Sequence, residues 1–295
     1  LTTFTTDIFP VAQPDLDGDG TCDSFDDCIE PSGNCDDDFV TEWDLSKLSN
    51  SNTQISIGVS VIGTGFYSWQ DVSDPLVHGV GTFNVSPLTV TGLPAGKKIR
   101  LKIDSTGLRS VFVTAPENVC LTDIVQWGDI HWSSFNNAFL NCVHLSCSAT
   151  DVPDLADVKS MKNMFNGCSQ LNGPSNINNW ITSSVIDMTS LFSGALSFNQ
   201  NIGNWDVSNV TDMLSMFSNA HNFNQNIRNW NTRNVKSMNA MFLDARAFNQ
   251  DLGSWNLSSI LRNCLNFNDL CFMLSNSGLD CINYSNTLHG WAASP

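Results

Sequence analysis

The sequence predicts an α/β repeat: a stack of about six strand-turn-helix units of ~25 residues each, preceded by a small β-sandwich and an acidic segment. Three observations predict it. First, Trp180, Trp205, Trp230 and Trp255 recur at one interval, and so do Phe192, Phe217, Phe242 and Phe267, and Phe198, Phe223 and Phe248. Phe165 and Phe139 continue the second series upstream with slightly longer steps. Second, the residues ahead of the array alternate apolar and polar between Gly and Pro, the period of short strands. Third, the N-terminal acids crowd into a stretch with almost no apolar residues, which cannot build a core. The implied boundaries are 1–38, 39–118 and 119–295.

The acidic segment reads PDLDGDGTCDSFDDCIEPSGNCDDD from Pro14 to Asp38. Asp15, Asp17, Asp19, Asp23 and Asp26 alternate with Gly18 and Gly20, and no Lys or Arg lies nearby. A tight loop that aims successive carboxylates inward suits a hard cation such as Ca2+, which gathers roughly six to eight oxygens. The order D-x-D-x-D-G-x-x-D-x-x-D-x-C, Asp15 to Cys28, resembles the thrombospondin type 3 calcium repeat and lacks the distal Glu of an EF-hand loop. The alternative is a solvated acidic linker.

The second segment contains TQISIGVSVIG, GTFNVSPLTVTGL and KKIRLKID, whose alternation predicts antiparallel strands in a small sandwich. With FVTEW and FYSW it resembles the immunoglobulin-like polycystic-kidney-disease modules. The Trp-Gly-Asp-Gly of that family is replaced after Trp69 by QDVSD.

In the array, Ile202, Trp205 and Val207 follow an L-x-x-L-x-L spacing, the strand-bearing half of a leucine-rich repeat. Val210, Met213, Phe217 and Ala220 then recur at helical spacing, with Asp212 suited to the first turn of a helix. A lone unit cannot bury its apolar face, so stacking sets Trp over Trp and Phe over Phe. The Met residues Met213, Met216, Met238 and Met241 read as core filling. Tyr284, Leu288 and Trp291 predict a closing helix that caps the last unit.

FNQNIGNWDVSNVTDM, IVQWGDIHWSSFNNAFLNC and MLSNSGLDCINYSNTLHGW resemble the BspA-like leucine-rich-repeat surface proteins of Bacteroidetes, over about Cys120 to Ala292. The resemblance implies export to the outer cell surface, often by the type 9 route, and an adhesin role. DST at Asp104 to Thr106 resembles an O-glycosylation signal of that phylum.

The formal charge is -16, with 13 Lys and Arg against 29 Asp and Glu, and no basic stripe exists. Nucleic acids and anionic membranes are therefore not expected partners, and no apolar run approaches the ~20 residues of a membrane helix. Ten cysteines and few Lys point to an oxidising, extracellular setting. A start at Leu1 fits a mature or trimmed product. His78, His131, His144, His221 and His289 are scattered outside any catalytic motif, and Asp206 and Asp212 fall inside the repeat. The expectation is a non-enzymatic binding module for a glycan or protein. The alternative is a spacer that binds only neighbouring subunits of a surface assembly.

Two further expectations concern side chains. Spacing places Cys142 and Cys168 as buried thiols on the helical side and pairs Cys120 with Cys147. Cys281 takes Cys271 or Cys264, Cys271 being preferred, and Cys22, Cys28 and Cys35 lie too close together to rank, Cys22 with Cys28 being the first choice. The residues between inward plugs form an amide- and hydroxyl-rich face: Asn179, Ile181 and Ser183; Asn204, Asp206 and Ser208; Asn229, Asn231 and Arg233; Ser254, Asn256 and Ser258. Such groups suit sugar hydroxyls or a polar protein surface better than a phosphate.

Overall fold

A computed structural model of the chain describes residues 37–48, 53–261 and 272–293. The described residues from Asp38 onward belong to one compact unit. Its first part is two antiparallel sheets. β1 (Phe39–Asp44), β2 (Ile55–Val61), β3 (Gly65–Asp71), β4 (His78–Phe83), β5 (Leu88–Val90), β6 (Lys98–Ile103), β7 (Leu108–Phe112) and β8 (Leu121–Gln126) succeed one another along the chain. One sheet has the order β4-β3-β6-β1-β8, extended by the two-residue β9 (Ser146–Cys147), and the other β5-β2-β7. The alternation in the sequence explains the strands. Ile99, Leu101 and Ile103 of β6 are buried, while Lys98, Arg100 and Lys102 between them are not. Ile55, Ile57 and Val59 of β2 do the same on the facing sheet. β1 runs antiparallel to β6 with Phe39 opposite Ile103 and Trp43 opposite Ile99. Phe39 also meets Trp132 edge-on, ring centroids 5.3 Å apart, so the core continues from the sheets into the repeat array.

From Trp127 onward the chain is built almost entirely from turns. The expected α/β leucine-rich-repeat solenoid is not present: between Trp127 and Leu257 the repeats show, of the predicted strands and helices, only the two-residue β9 (Ser146–Cys147), and regular structure lies mostly in the two sheets. The physical reason is visible in the backbone hydrogen bonds around Phe217. Met216, Ser218 and Ala220 donate backwards three residues, to Met213, Ser215 and Phe217. The residues between them donate outwards: Met213, Ser215, Phe217 and Asn219 bond the carbonyls of Ser237, Asn239, Met241 and Leu243 in the next unit, at 2.7 to 2.9 Å. An α-helix would instead close every N–H on the carbonyl four residues back. Here alternate amides serve the contact between units.

Left-handed residues make this possible. Ser215 and Asn219 have φ of 54° and 58°, and Asn137 and Asn141, in an earlier unit, have 57° and 59°. Gly167 (φ 77°) and Gly194 (φ 69°) take the same place where the backbone needs no side chain. Such a residue every fourth position breaks a helix while preserving apolar spacing of three and four.

The side chains stack as their period requires. Phe139, Phe165, Phe192, Phe217 and Phe242 form one column, successive centroids 5.6 to 5.8 Å apart. Phe198, Phe223 and Phe248 form a second, and each leans on the first within its own unit, at 3.8 Å for Phe192 and Phe198. Trp180 stacks on Trp205, and Trp230 on Trp255, both at 6.2 Å. Single parallel bridges join Ser160, Asp187, Asp212 and Ser237 in sequence.

The chain closes with a short helix, α1 (Ser258–Leu261), and a longer one, α2 (Cys281–Ala293). The predicted closing helix is thus present, with a different inward face. Thr287 is fully buried and its hydroxyl accepts the Leu252 N–H at 2.9 Å. Trp291 donates its indole N–H to the Leu252 carbonyl at 2.9 Å, and Gly290 lies so close to Gly253 that a Cβ there would meet the Gly253 carbonyl. Tyr284 and Leu288, expected inside, are exposed. Asp280 caps the helix by accepting from the N–H groups of Ile282 and Asn283.

Candidate functional site

Across each repeat, inward and outward residues alternate although no strand is formed. Trp205 and Val207 are buried, with Asn204 and Asp206 exposed and Ser208 half-buried. Trp230 and Thr232 are buried, with Asn229, Asn231 and Arg233 exposed. Asn179, Ile181 and Ser183 are exposed one unit earlier, and Ser254 one unit later, where Asn256 and Ser258 are half-buried. The face expected from the sequence is therefore outward over four successive units.

The structure gathers part of that face into a cleft of about 490 Å³ lined by Asn231, Arg233, Asn234, Asn256, Ser258 and Ser259. Asn234 and Ser259 were not expected there. The turn at Arg233 and Asn234 swings the latter into the cleft, which a strict alternation cannot anticipate. Position is the missed signal, since Ser184, Asn209, Asn234 and Ser259 recur and each hydrogen-bonds a carbonyl of the preceding unit. Asn209 donates to Ser183 and Asn234 to Ser208; Ser184 donates to Leu155 and Val158, and Ser259 to Arg233. These side chains hold units together.

The other lining residues are engaged only locally. The Asn231 side-chain oxygen accepts the Arg233 N–H at 3.4 Å, and the Asn256 oxygen accepts the Ser258 N–H at 2.9 Å. Asp206, at the same place one unit earlier, accepts the Ser208 N–H at 2.9 Å. Hydrogen bonds from Ser208 hold the Asp206 carboxyl below the usual carboxylate range, so it is charged at neutral pH.

Beside this face two ladders tie the stack. The Trp205, Trp230 and Trp255 indoles each donate to the carbonyl of an isoleucine in the preceding unit: Ile177, Ile202 and Ile227. Asn199, Asn224, Asn249 and Asp280 each present a backbone N–H to the side-chain oxygen of the preceding Asn, starting from Asn172.

The cysteine expectations divide. Cys142 and Cys168 are buried and unbridged, and burial pushes both thiols well above their ordinary pKa. The Cys168 thiol donates to the Phe139 carbonyl at 3.0 Å. Cys120 and Cys147 are not paired with each other. Cys147 stands opposite Ile124 in the parallel β8–β9 pair, and Cys120 precedes Ile124 by about 13 Å of extended chain, beyond the ~7 Å a disulfide spans. The Cys120 thiol bonds the Glu117 carbonyl instead, and burial pushes it up to about 12. Cys281 is exposed and free. Its expected partner Cys271 lies outside the described residues, as do Cys22, Cys28 and the calcium candidates Asp15, Asp17, Asp19, Asp23 and Asp26. Among the described residues, no group of three or more His, Cys, Asp or Glu is placed to hold a metal ion, and no helix is long and apolar enough to cross a membrane.

Residues 159–273 match the model of a family described as a Mycoplasma protein of unknown function, DUF285. No curated protein and no solved structure matches the chain. The expected kinship with BspA-like surface proteins of Bacteroidetes is corrected accordingly: the matched family is described from Mycoplasma and without a function, and the repeats lack the strand-and-helix units that kinship implied.

Proposed function

We propose that this chain is a non-enzymatic binding module displayed outside the cell, with a glycan or a protein surface held along the outward face from Asn204 to Asn256. One observation carries the reading. Residues that build the stack recur from unit to unit, whereas the outward positions beside them vary at Ile181 and Asp206, which stand in a row with Asn231 and Asn256, and at Arg233, which replaces the serine of Ser183, Ser208 and Ser258. Structure alone requires the first kind of repetition and leaves the second free to vary, as recognition does. The extracellular placement rests on composition, ten cysteines with few Lys. Ca2+ bound by Asp15, Asp17, Asp19, Asp23 and Asp26 belongs to the same reading, and a chelator should then increase protease cleavage within residues 14–38; unchanged cleavage would remove the metal from it.

The face is tested by replacing Asn204, Asp206 and Asn231 together with Ala. Beads carrying the variant should lose most of their adhesion to polysaccharide- or protein-coated surfaces while its circular dichroism stays unchanged. Full adhesion with an intact fold would favour a spacer that binds only its neighbours.

A further inference from the structure

The cleft at Asn231 to Ser259 offers hydrogen-bond donors with little to accept in return. Asn231 and Asn256 have each committed a side-chain oxygen to a backbone N–H. Among the described residues, their amide NH2 groups find no acceptor, nor do the Ser258 hydroxyl and the Arg233 guanidinium, and Arg233 has no ion-pair partner. Asn234 and Ser259 are already bonded to carbonyls of the preceding unit. A cleft of about 490 Å³ lies in the range of about 300–1,000 Å³ that holds small molecules. The ligand must supply the acceptors.

We propose that this cleft binds a carboxylate-bearing saccharide, its carboxylate paired with Arg233 and its hydroxyl and ring oxygens facing Asn231, Asn256 and Ser258. The proposal rests on the reading of this face as a recognition surface and names its ligand. The planar guanidinium matches a carboxylate with two parallel hydrogen bonds. Arg228, the nearest basic side chain before it on the array, is instead paired with Asp251 at 3.3 Å. A polyanion such as a nucleic acid needs several cations acting together, and Arg233 is the single cation among the residues that line the cleft. One unpaired Arg among neutral donors fits one isolated acid on an otherwise hydroxyl-rich molecule. Asp206, charged one unit earlier, repels an anion from that part of the face and so sets the direction in which an acidic sugar lies.

The test uses the full chain and calorimetric titration with oligogalacturonate and sialyllactose, against cello-oligosaccharide and lactose as neutral counterparts, with a heparin fragment as the sulfated probe. One acidic sugar should bind about tenfold or more tightly than its neutral counterpart. Arg233→Gln should abolish that difference, and Arg233→Lys should retain part of it. Asn256→Ala should weaken the acidic sugar with its preference kept. Equal affinity for acidic and neutral sugars, both lost on Asn231→Ala, would overturn the acidic preference and leave the face as a recognition surface. Tighter binding of heparin than of either carboxylated sugar would overturn the carboxylate assignment. Binding to none of these saccharides overturns the inference, while adhesion to protein surfaces that the triple Ala variant loses would still sustain the face.

Discussion

Ile103 in β6 and Phe217 in the array are both completely buried, yet the backbones that carry them are satisfied in different ways. Ile103 sits in a sheet, flanked by Phe39 on one side and Tyr67 on the other in continuous antiparallel ladders. Phe217 sits in a run of turns, where one amide closes a turn and the next reaches the following unit. Side chains complete what the backbone of the array leaves open. Trp205 gives a carbonyl of the previous unit a second donor beside the Trp180 backbone N–H, and Asn199 fills an N–H of the next. Regular secondary structure is thus one way among several to bury a polar backbone. In the array that task falls on a few side chains, each repeated, so single substitutions there should be felt more than at an exposed sheet position.

The largest expected effect is at the centre of the aromatic columns. Phe217 touches Phe192, Phe223, Phe242 and Trp230, and Phe217→Ala should cost about 3–5 kcal/mol in urea unfolding. Phe66→Ala, on an exposed ring of β3, should stay within about 0.5 kcal/mol. Similar losses at both sites would mean that burial in the aromatic columns adds nothing to stability.

A smaller effect separates two tryptophans of one column. Trp205→Phe removes the indole donor from the Ile177 carbonyl, which keeps the Trp180 backbone N–H at 3.2 Å, and should cost about 0.5–1.5 kcal/mol. Trp180 has a buried indole N–H with no partner among the described residues, so Trp180→Phe removes an unsatisfied group and should cost clearly less. Equal costs would mean that ring volume alone matters and that the indole ladder contributes nothing.

The smallest effect is one of pH, at the end of the asparagine ladder. Asp280 stands where the earlier units have Asn, and its hydrogen bonds from Asn249 and from the Asn283 and Ile282 backbone lower its pKa below the ordinary 3.8. A lowered carboxylate stabilises the fold above pH 3.8 and loses that contribution as pH falls through its folded value. The thermal midpoint of Asp280→Asn should therefore fall less than that of the wild type on acidification below about pH 4. Parallel acid profiles would show that the last rung holds without the charge.

Much of this was open to the sequence. The period alone identifies the columns, because identical plugs at one interval have no other economical use. Alternation marks Ile55, Ile57 and Val59 as the inner face of a strand. The helix expected over Val210 to Ala220 failed because overlapping three-residue turns produce the same apolar spacing of three and four. The discriminating sign was Ser215 and Asn219, small polar residues four apart that accept positive φ. The cleft was half legible: Asn231, Arg233 and Asn256 follow from alternation, whereas Asn234 depends on a turn that alternation does not encode. The closing helix was legible in extent and misjudged in rotation, since Thr287 and Gly290 take the inner side through a hydroxyl and a bare backbone, which a search for apolar residues passes over.

The bonds that leave each turn amide for the following unit bear on how such a chain can change in length. Phe165 reaches Leu191, Phe192 reaches Met216 and Phe217 reaches Met241, each through the same kind of bond in the same direction. None of these bonds reaches farther than the next unit. Duplicating or excising one whole period in the middle therefore recreates every junction, and the typical sequence distance between contacting residues does not grow as the array lengthens. Since folding rate falls with that distance more than with size, a gene can extend this region by tandem duplication without making the product slower to fold.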